Sequence, residues 1–184
     1  IAIRINPDIS AGGNDKISTG KAQDKFGISW KDASNVYEYA STLPGIKIKG
    51  IDAHIGSQIN QLEPFGHSFD KLKEIIHMLK DKGFKIDIID VGGGLGVKYK
   101  DNEKSIDIKK YGKLLSEKLG ELDCKVIIEP GRYLTANAGI LVTKILHIKK
   151  SDIKNFVIVD AGMNDFIRPT LYGAHHNIIP LNEP

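Results

Sequence analysis

An α/β fold on parallel strands, passing into a short antiparallel β segment, is what this chain of 184 residues predicts. Three observations carry that prediction. Strand-length runs rich in Ile and Val recur, and helical apolar stripes lie between them. After residue 134 two strand-like runs follow each other with only a short polar turn between them. Runs apolar on both faces suit a parallel sheet covered on both sides. Strand and helix alternating at about 40 residues argue for consecutive βα units, either of a barrel or of an open doubly wound sheet.

The first expected strand is IAIRI (1–5). In KDASNVYEYASTL, Ala33, Val36, Tyr37 and Ala40 fall at i, i+3, i+4 and i+7, a helical stripe. The second strand is expected within IKIKGIDAHI (46–55). In PFGHSFDKLKEIIHMLKDKG, Phe65, Phe69, Leu72, Ile76 and Leu79 form one face, and Gly83 is placed to end the helix. KIDIIDV (85–91) is the third strand. DIKKYGKLLSEKLG carries Ile108, Tyr111, Leu115 and Leu119 on one face, with Asp107 as N-cap and Gly120 as stop. KVIIEP (125–130) is the fourth strand. AGILVTKILHIK and NFVIVDAG, joined by KSDIKN, read as antiparallel β and begin a second domain near Gly139.

Composition excludes several classes. Apolar residues make up 41% and charged residues 27%, ordinary for a globular protein. The net charge of +3 comes from lysines spread along the chain, so no nucleic-acid footprint is expected. No apolar run reaches the roughly 18 residues of a membrane span, and no signal peptide is visible. The one cysteine, Cys124, has neither a partner nor a zinc spacing around it, which fits a reducing, cytoplasmic compartment. The sequence opens on Ile1 in mid-strand and stops after the apolar run IIPLNEP, so it is expected to be a fragment.

Polar clusters follow three of the strands at their carboxyl ends: HIGSQ after 46–55, GGGLG after 85–91 and EPGRY after 125–128. Ligands of α/β folds bind at that edge. The glycines 92, 93, 94 and 96 match neither common phosphate loop, because Val97 stands where both need glycine. Successive glycines can still turn several N–H groups toward an anion. Gly56 and Ser57 add a bare backbone and a hydroxyl, and Arg132 adds a forked cation. Together they describe a phosphate ester; each alone has a plainer reading as a turn or a surface ion pair. His54 and Glu129 are not needed for a phosphate, and they suggest a ligand with a ring and a basic nitrogen. His175 and His176 are adjacent and point to opposite faces of a strand, so no metal site is expected.

AHIGSQ, DVGGGLG, EPGRYLTANAG and VDAGMNDFIRPTLYGAHH, in this order and spacing, closely resemble the diaminopimelate decarboxylase family. That family lies in the alanine-racemase-like, fold-type III group of pyridoxal-phosphate enzymes. ISTGKAQDKFGI also looks like the family's stretch after the RINP strand. The resemblance implies the later half of a (β/α)8 TIM-type barrel over residues 1–136, then the start of a C-terminal antiparallel β-domain over 137–184. It implies pyridoxal 5'-phosphate as cofactor and decarboxylation of meso-2,6-diaminopimelate to L-lysine. Related decarboxylases of ornithine, arginine or carboxynorspermidine share several of the motifs, and a non-catalytic pyridoxal-phosphate-binding module is a further alternative.

By the same resemblance, Gly92, Gly93 and Gly94 hold the cofactor phosphate, with Ser57 and the turn from Glu129 through Gly131 to Arg132. His54 stacks on the pyridine face and Glu129 pairs with the pyridine nitrogen. Arg132, Arg168 and Tyr172 grip the substrate's distal end. The resemblance further implies a homodimer with its active site at the subunit interface. The family's Schiff-base lysine is expected upstream of Ile1, and a Cys-Glu segment beyond Pro184. The 184 residues alone are therefore expected to be inactive, and their exposed sheet edges to make them poorly stable.

Overall fold

The computed structural model describes residues 1–11, 19–21 and 23–181. Ile17, Ser18 and Ala22 of the ISTGKAQDKFGI stretch lie outside the described residues. The chain divides into two compact units, Ile1–Val97 with Lys104–Ala136, and Lys98–Glu103 with Asn137–Pro184.

The first unit holds a five-stranded sheet. Its strands are β1 (Ala2–Asn6), β2 (Ile28–Ser29), β3 (Gly50–Asp52), β4 (Ile88–Asp90) and β5 (Lys125–Ile127). They lie in the order β2-β1-β3-β4-β5, with every pair parallel. The helices α1 (Ala33–Thr42), α2 (Glu63–Asp81) and α3 (Ile108–Leu119) fall between the strands in sequence. The expected runs thus form strands, but shorter ones: only 50–52 of the run 46–55 is strand. The two-residue β2 was not foreseen, because two residues are too few to show a period.

The core explains why these segments are helices. Phe65, Phe69, Leu72, Ile75, Ile76 and Leu79 are all within 2% of full burial, so the α2 stripe faces inward as its spacing demands. Tyr111 of α3 packs edge-on against Phe65, with ring centroids 5.1 Å apart, and against Phe69 at 5.9 Å. Such aromatic pairs are worth about 1 kcal/mol beyond the buried area. Gly83 ends α2 at φ +88°. Asp107 caps α3, its carboxylate accepting from Lys109 N and Lys110 N at 3.0 and 3.1 Å.

One detail of α3 departs from expectation: Ile108, the first residue of the helix, is 40% exposed rather than part of the buried stripe. Gly120 stops α3 as expected, capping it after Leu119 with its N–H donated to Ser116 O. The backbone tightens into a 3-10 turn over Gly120–Leu122, burying Leu122, and reverses at Asp123 with φ +51°. The apolar Leu122 draws the turn on until its side chain reaches the core.

β-strand alternation places Ile51 and Ile89 on the core side of the sheet. Their neighbours Asp52 and Asp90, the last residues of β3 and β4, therefore point to the opposite face. α4 (Gly131–Thr135) begins after the three residues Ile128, Glu129 and Pro130 that follow β5, so the expected EPGRY turn leads into a helical turn.

The second unit holds an antiparallel pair, β6 (Ile145–Lys149) with β7 (Phe156–Val159), and the short helix α5 (Arg168–Tyr172). The antiparallel texture after the parallel βα repeat is as the sequence reading expects, though residues 138–144 are not strand.

Candidate active site

Parallel strands in register end together, and this sets the site. Asp52 pairs with Asp90, and Asp90 with Ile127. His54, Gly92 and Glu129 each follow two residues after the end of β3, β4 and β5. The ladder continues past the strands: Ala53 N donates to Asp90 O at 3.0 Å, Val91 N to Ile127 O at 3.0 Å, and Glu129 N to Gly92 O at 2.8 Å. Three sequence clusters far apart along the chain are thereby brought to one edge.

The glycines are required first by the protein's own backbone. Gly92 and Gly94 have φ of +69° and +95°, a region that favours glycine. A Cβ on Gly92 would lie 2.5 Å from Ala53 O. A Cβ on Gly93 would collide with Glu129 O, and one on Gly94 with Gly56 O. The neighbouring strand ends thus close on the run from both sides. Three of its N–H groups are already used: Gly92 N donates to Asp90 Oδ1 at 2.9 Å, Gly93 N to His54 Nδ1 at 3.1 Å and Gly96 N to Ile59 O at 2.9 Å. Among the described residues, the N–H groups of Gly94 and Leu95 have no protein acceptor.

The bond from Gly93 decides the chemistry of His54. Its Nδ1 is an acceptor, so the imidazole is neutral with its proton on Nε2. Burial holds its pKa below the ordinary 6.5, and the Arg4 guanidinium pushes the same way, against an opposing pull from Asp90. The His54 backbone is fixed as well, its carbonyl accepting from Thr19 Oγ1 at 2.8 Å and Arg4 Nη2 at 3.4 Å.

Asp52, Asp90 and Glu129 place carboxylate oxygens within 4.8 Å of one another. Burial raises Asp52 to about 6, with Asp90 and Glu129 adding to the rise and Arg4 opposing it. Asp52 Oδ1 is buried without a hydrogen-bond partner among the described residues, and Arg4 Nε stands 4.0 Å from Oδ2. The edge is therefore electron-rich and suits a cationic or proton-bearing group.

The remaining predicted residues fall in two places. Ser57 is half-buried beside Gly56. Gly131 is exposed, its N–H donating to Glu129 O at 2.8 Å. Arg132 donates through Nη1 to Gln58 Oε1 at 3.3 Å. Arg168 and Tyr172 belong to the second unit. There the Arg168 guanidinium lies 5.6 Å from the Tyr99 ring centroid and 5.8 Å from that of Tyr172. It donates to Tyr99 Oη at 3.2 Å and to His176 Nε2 at 3.4 Å. Four residues at the strand ends escaped the sequence reading: Arg4, Asp52, Asp90 and Gln58. An acid closing each of two successive strand runs was the available signal for the aspartates.

Known proteins resemble this chain along nearly its whole length. Residues 1–136 match the family described as pyridoxal-dependent decarboxylase, pyridoxal binding domain. The chain is 47% identical over 179 residues to a diaminopimelate decarboxylase of Zymomonas mobilis, covering 97% of this chain and 42% of that protein. It is 48% identical over 182 residues to the one from Vibrio cholerae, covering 98% and 43%. Diaminopimelate decarboxylase from Helicobacter pylori complexed with L-lysine superposes with a TM-score of 0.92 at 42% identity, over 100% of this chain and 46% of that one. The chain thus spans less than half the length of each.

Proposed function

The chain belongs to the pyridoxal-dependent decarboxylase family, whose pyridoxal-binding domain it matches over residues 1–136, and from that premise we propose that it serves decarboxylation of meso-2,6-diaminopimelate to L-lysine. The observation that carries this reading is the strand-end edge where His54, the glycine run and Glu129 meet through direct hydrogen bonds. The relatives near 47% identity bear the same activity in their names.

The residues fit pyridoxal 5'-phosphate. The N–H groups of Gly94 and Leu95, without an acceptor among the described residues, suit a phosphate together with Ser57 and Arg132. The cluster of Asp52, Asp90 and Glu129, with one buried oxygen unpartnered, suits a protonated heterocyclic nitrogen. When bound, the cofactor supplies an electron sink for the pair left as CO2 departs. Glu129 would hold a ring nitrogen in its protonated form, since an opposite charge close by favours the charged form. His54, neutral and fixed in one tautomer, presents a flat ring for stacking without adding positive charge. Gly92, Gly93, Gly94 and Gly131, without side chains, would leave the backbone bare where the phosphate would be held.

Arg132, Arg168 and Tyr172 are assigned to the substrate's distal ammonium-carboxylate end. The fork of Arg168, braced by Tyr99 and His176, supports a carboxylate partner. A site built for that carboxylate rejects ornithine, which leaves its donors unpaired. The sheet is read as part of a (β/α)8 barrel over residues 1–136 and the antiparallel pair as the start of a β-domain over 137–184; five parallel strands and the extent of the family match support this. A homodimer with the active site at the subunit interface, in the cytoplasm, completes the reading. The lone Cys124 supports a reducing compartment, and among the described residues no helix is long and apolar enough to cross a membrane.

The test is CO2 release from meso-diaminopimelate and from ornithine by the intact holoenzyme and its R168A variant. We expect selective turnover of diaminopimelate and a loss of at least tenfold in kcat/KM on removing the guanidinium, the scale of one charge-assisted contact. Equal turnover of ornithine, or an unaffected R168A enzyme, would sink the substrate assignment.

A further inference from the structure

Gln58 lies in the loop after β3, yet its backbone adopts φ +61°, a left-handed conformation that residues with a Cβ rarely take. Its side chain is what the strained backbone delivers. Gln58 Oε1 accepts from Val97 N at 3.1 Å, and Nε2 donates to Val97 O. One amide thereby pairs with both backbone groups of a residue that is only 4% exposed. It extends a true parallel bridge beside it, in which Ile59 N donates to Gly94 O and Gly96 N to Ile59 O, each at 2.9 Å. A third bond goes elsewhere: Oε1 also accepts from Arg132 Nη1 at 3.3 Å.

We propose that Gln58 is a positioning residue, whose amide ties the loops after β3 and β4 to helix α4 and aims the Arg132 guanidinium into the site. This rests on the role assigned to Arg132 above. A purely structural amide accounts for the two bonds to Val97 but has no need of the bond to Arg132. The orientation of the amide is set by its partners, since an arginine only donates and a carbonyl only accepts. Both lone-pair positions of Oε1 are then occupied, one by the loop and one by the cation. Glutamate would keep both acceptors and lose the donor to Val97 O. Methionine would keep the length and lose all three bonds.

The test is a double-mutant cycle between Gln58→Met and Arg132→Met in the intact holoenzyme, with Gln58→Glu as the conservative variant. Two quantities are read: the pyridoxal 5'-phosphate dissociation constant by absorbance titration, and KM against kcat for meso-diaminopimelate. Q58M is expected to weaken one of the two affinities about tenfold, a charge-assisted bond's worth, with a smaller change in kcat. In the R132M background the same substitution is expected to cost less than twofold. Q58E is expected to recover most of the affinity lost in Q58M. Independent, multiplicative effects in the cycle would overturn the proposal, because Gln58 would then act on the loop alone. Should Q58M fail to fold, a Q58E enzyme as impaired as R132M overturns it equally. An R132M enzyme with both constants unchanged would remove the reading of Arg132 itself, and the positioning role with it.

Discussion

Gly93→Ala and Gly112→Ala are the same chemical change with opposite expected signs. A Cβ on Gly93 collides with Glu129 O and lies 3.0 Å from Glu129 C, so a strand-end backbone must move. Gly93 is not among the positive-φ glycines, so the collision alone carries the effect. Overpacking of this kind costs about 1–3 kcal/mol. The displaced segments also hold the Glu129 N to Gly92 O bond at 2.8 Å and the Gly93 N to His54 Nδ1 bond at 3.1 Å. Weakening both adds about 1 kcal/mol, for a total of about 2–4 kcal/mol. Gly112 lies within α3, and a Cβ there meets nothing within 4 Å. Alanine at that site is expected to stabilise by about 0.5–1 kcal/mol through helix propensity alone. Urea unfolding of the two variants against the parent measures both signs, and cofactor titration adds a second readout for G93A. A G93A protein within about 0.5 kcal/mol of the parent, the range of ordinary surface changes, would refute the claim that neighbouring strand ends dictate the glycine run.

Other consequences follow from the same edge. Asp52 titrates at about 6 in the folded state against an ordinary 3.8, so the folded protein holds a proton that the unfolded chain releases. Its stability contribution is present below about pH 4 and lost as pH rises through about 6, by at most about 3 kcal/mol; D52N should remove this slope, and an unchanged slope in urea titrations at pH 4 and 7 would contradict it. His54 shifts the opposite way: its folded pKa is depressed, so stability declines as pH falls below 6.5, where the unfolded imidazole protonates first. Nitrogen-15 NMR of the imidazole should report an unprotonated Nδ1 and a protonated Nε2 at pH 7, whereas the reverse pattern would break the link to Gly93 N. Burial raises the Cys124 thiol, whose Sγ donates to Ile86 O at 3.1 Å; alkylation by iodoacetamide at pH 7.5 should be at least tenfold slower folded than in urea, and equal rates would show the thiol to be free.

Helix α2 shows how much was legible along the chain. Its stripe of Phe65, Phe69, Leu72, Ile76 and Leu79 is a local property of spacing, and a period of 3.6 can bury those residues only as a helix. The Asp107 cap and the Gly83 stop are likewise written within a few residues of where they act. Ile108 is exposed although its spacing puts it on the stripe, and the 3-10 turn that buries Leu122 beyond the Gly120 cap had no local periodicity to announce it.

By itself the sequence determined the alternation of strands and helices, the antiparallel pair and the residue types gathered at each strand end, since all depend on neighbours along the backbone. Only the tertiary structure decided which atoms meet there. The in-register ends of β3, β4 and β5 bring Gly93 to His54, Gly92 to Glu129 and Asp52 beside Asp90. The Gln58 amide between Val97 and Arg132 is of the same kind. Hydrogen bonds of about 3 Å between residues some forty to seventy positions apart have no local periodicity to betray them; the parallel register of the sheet makes them.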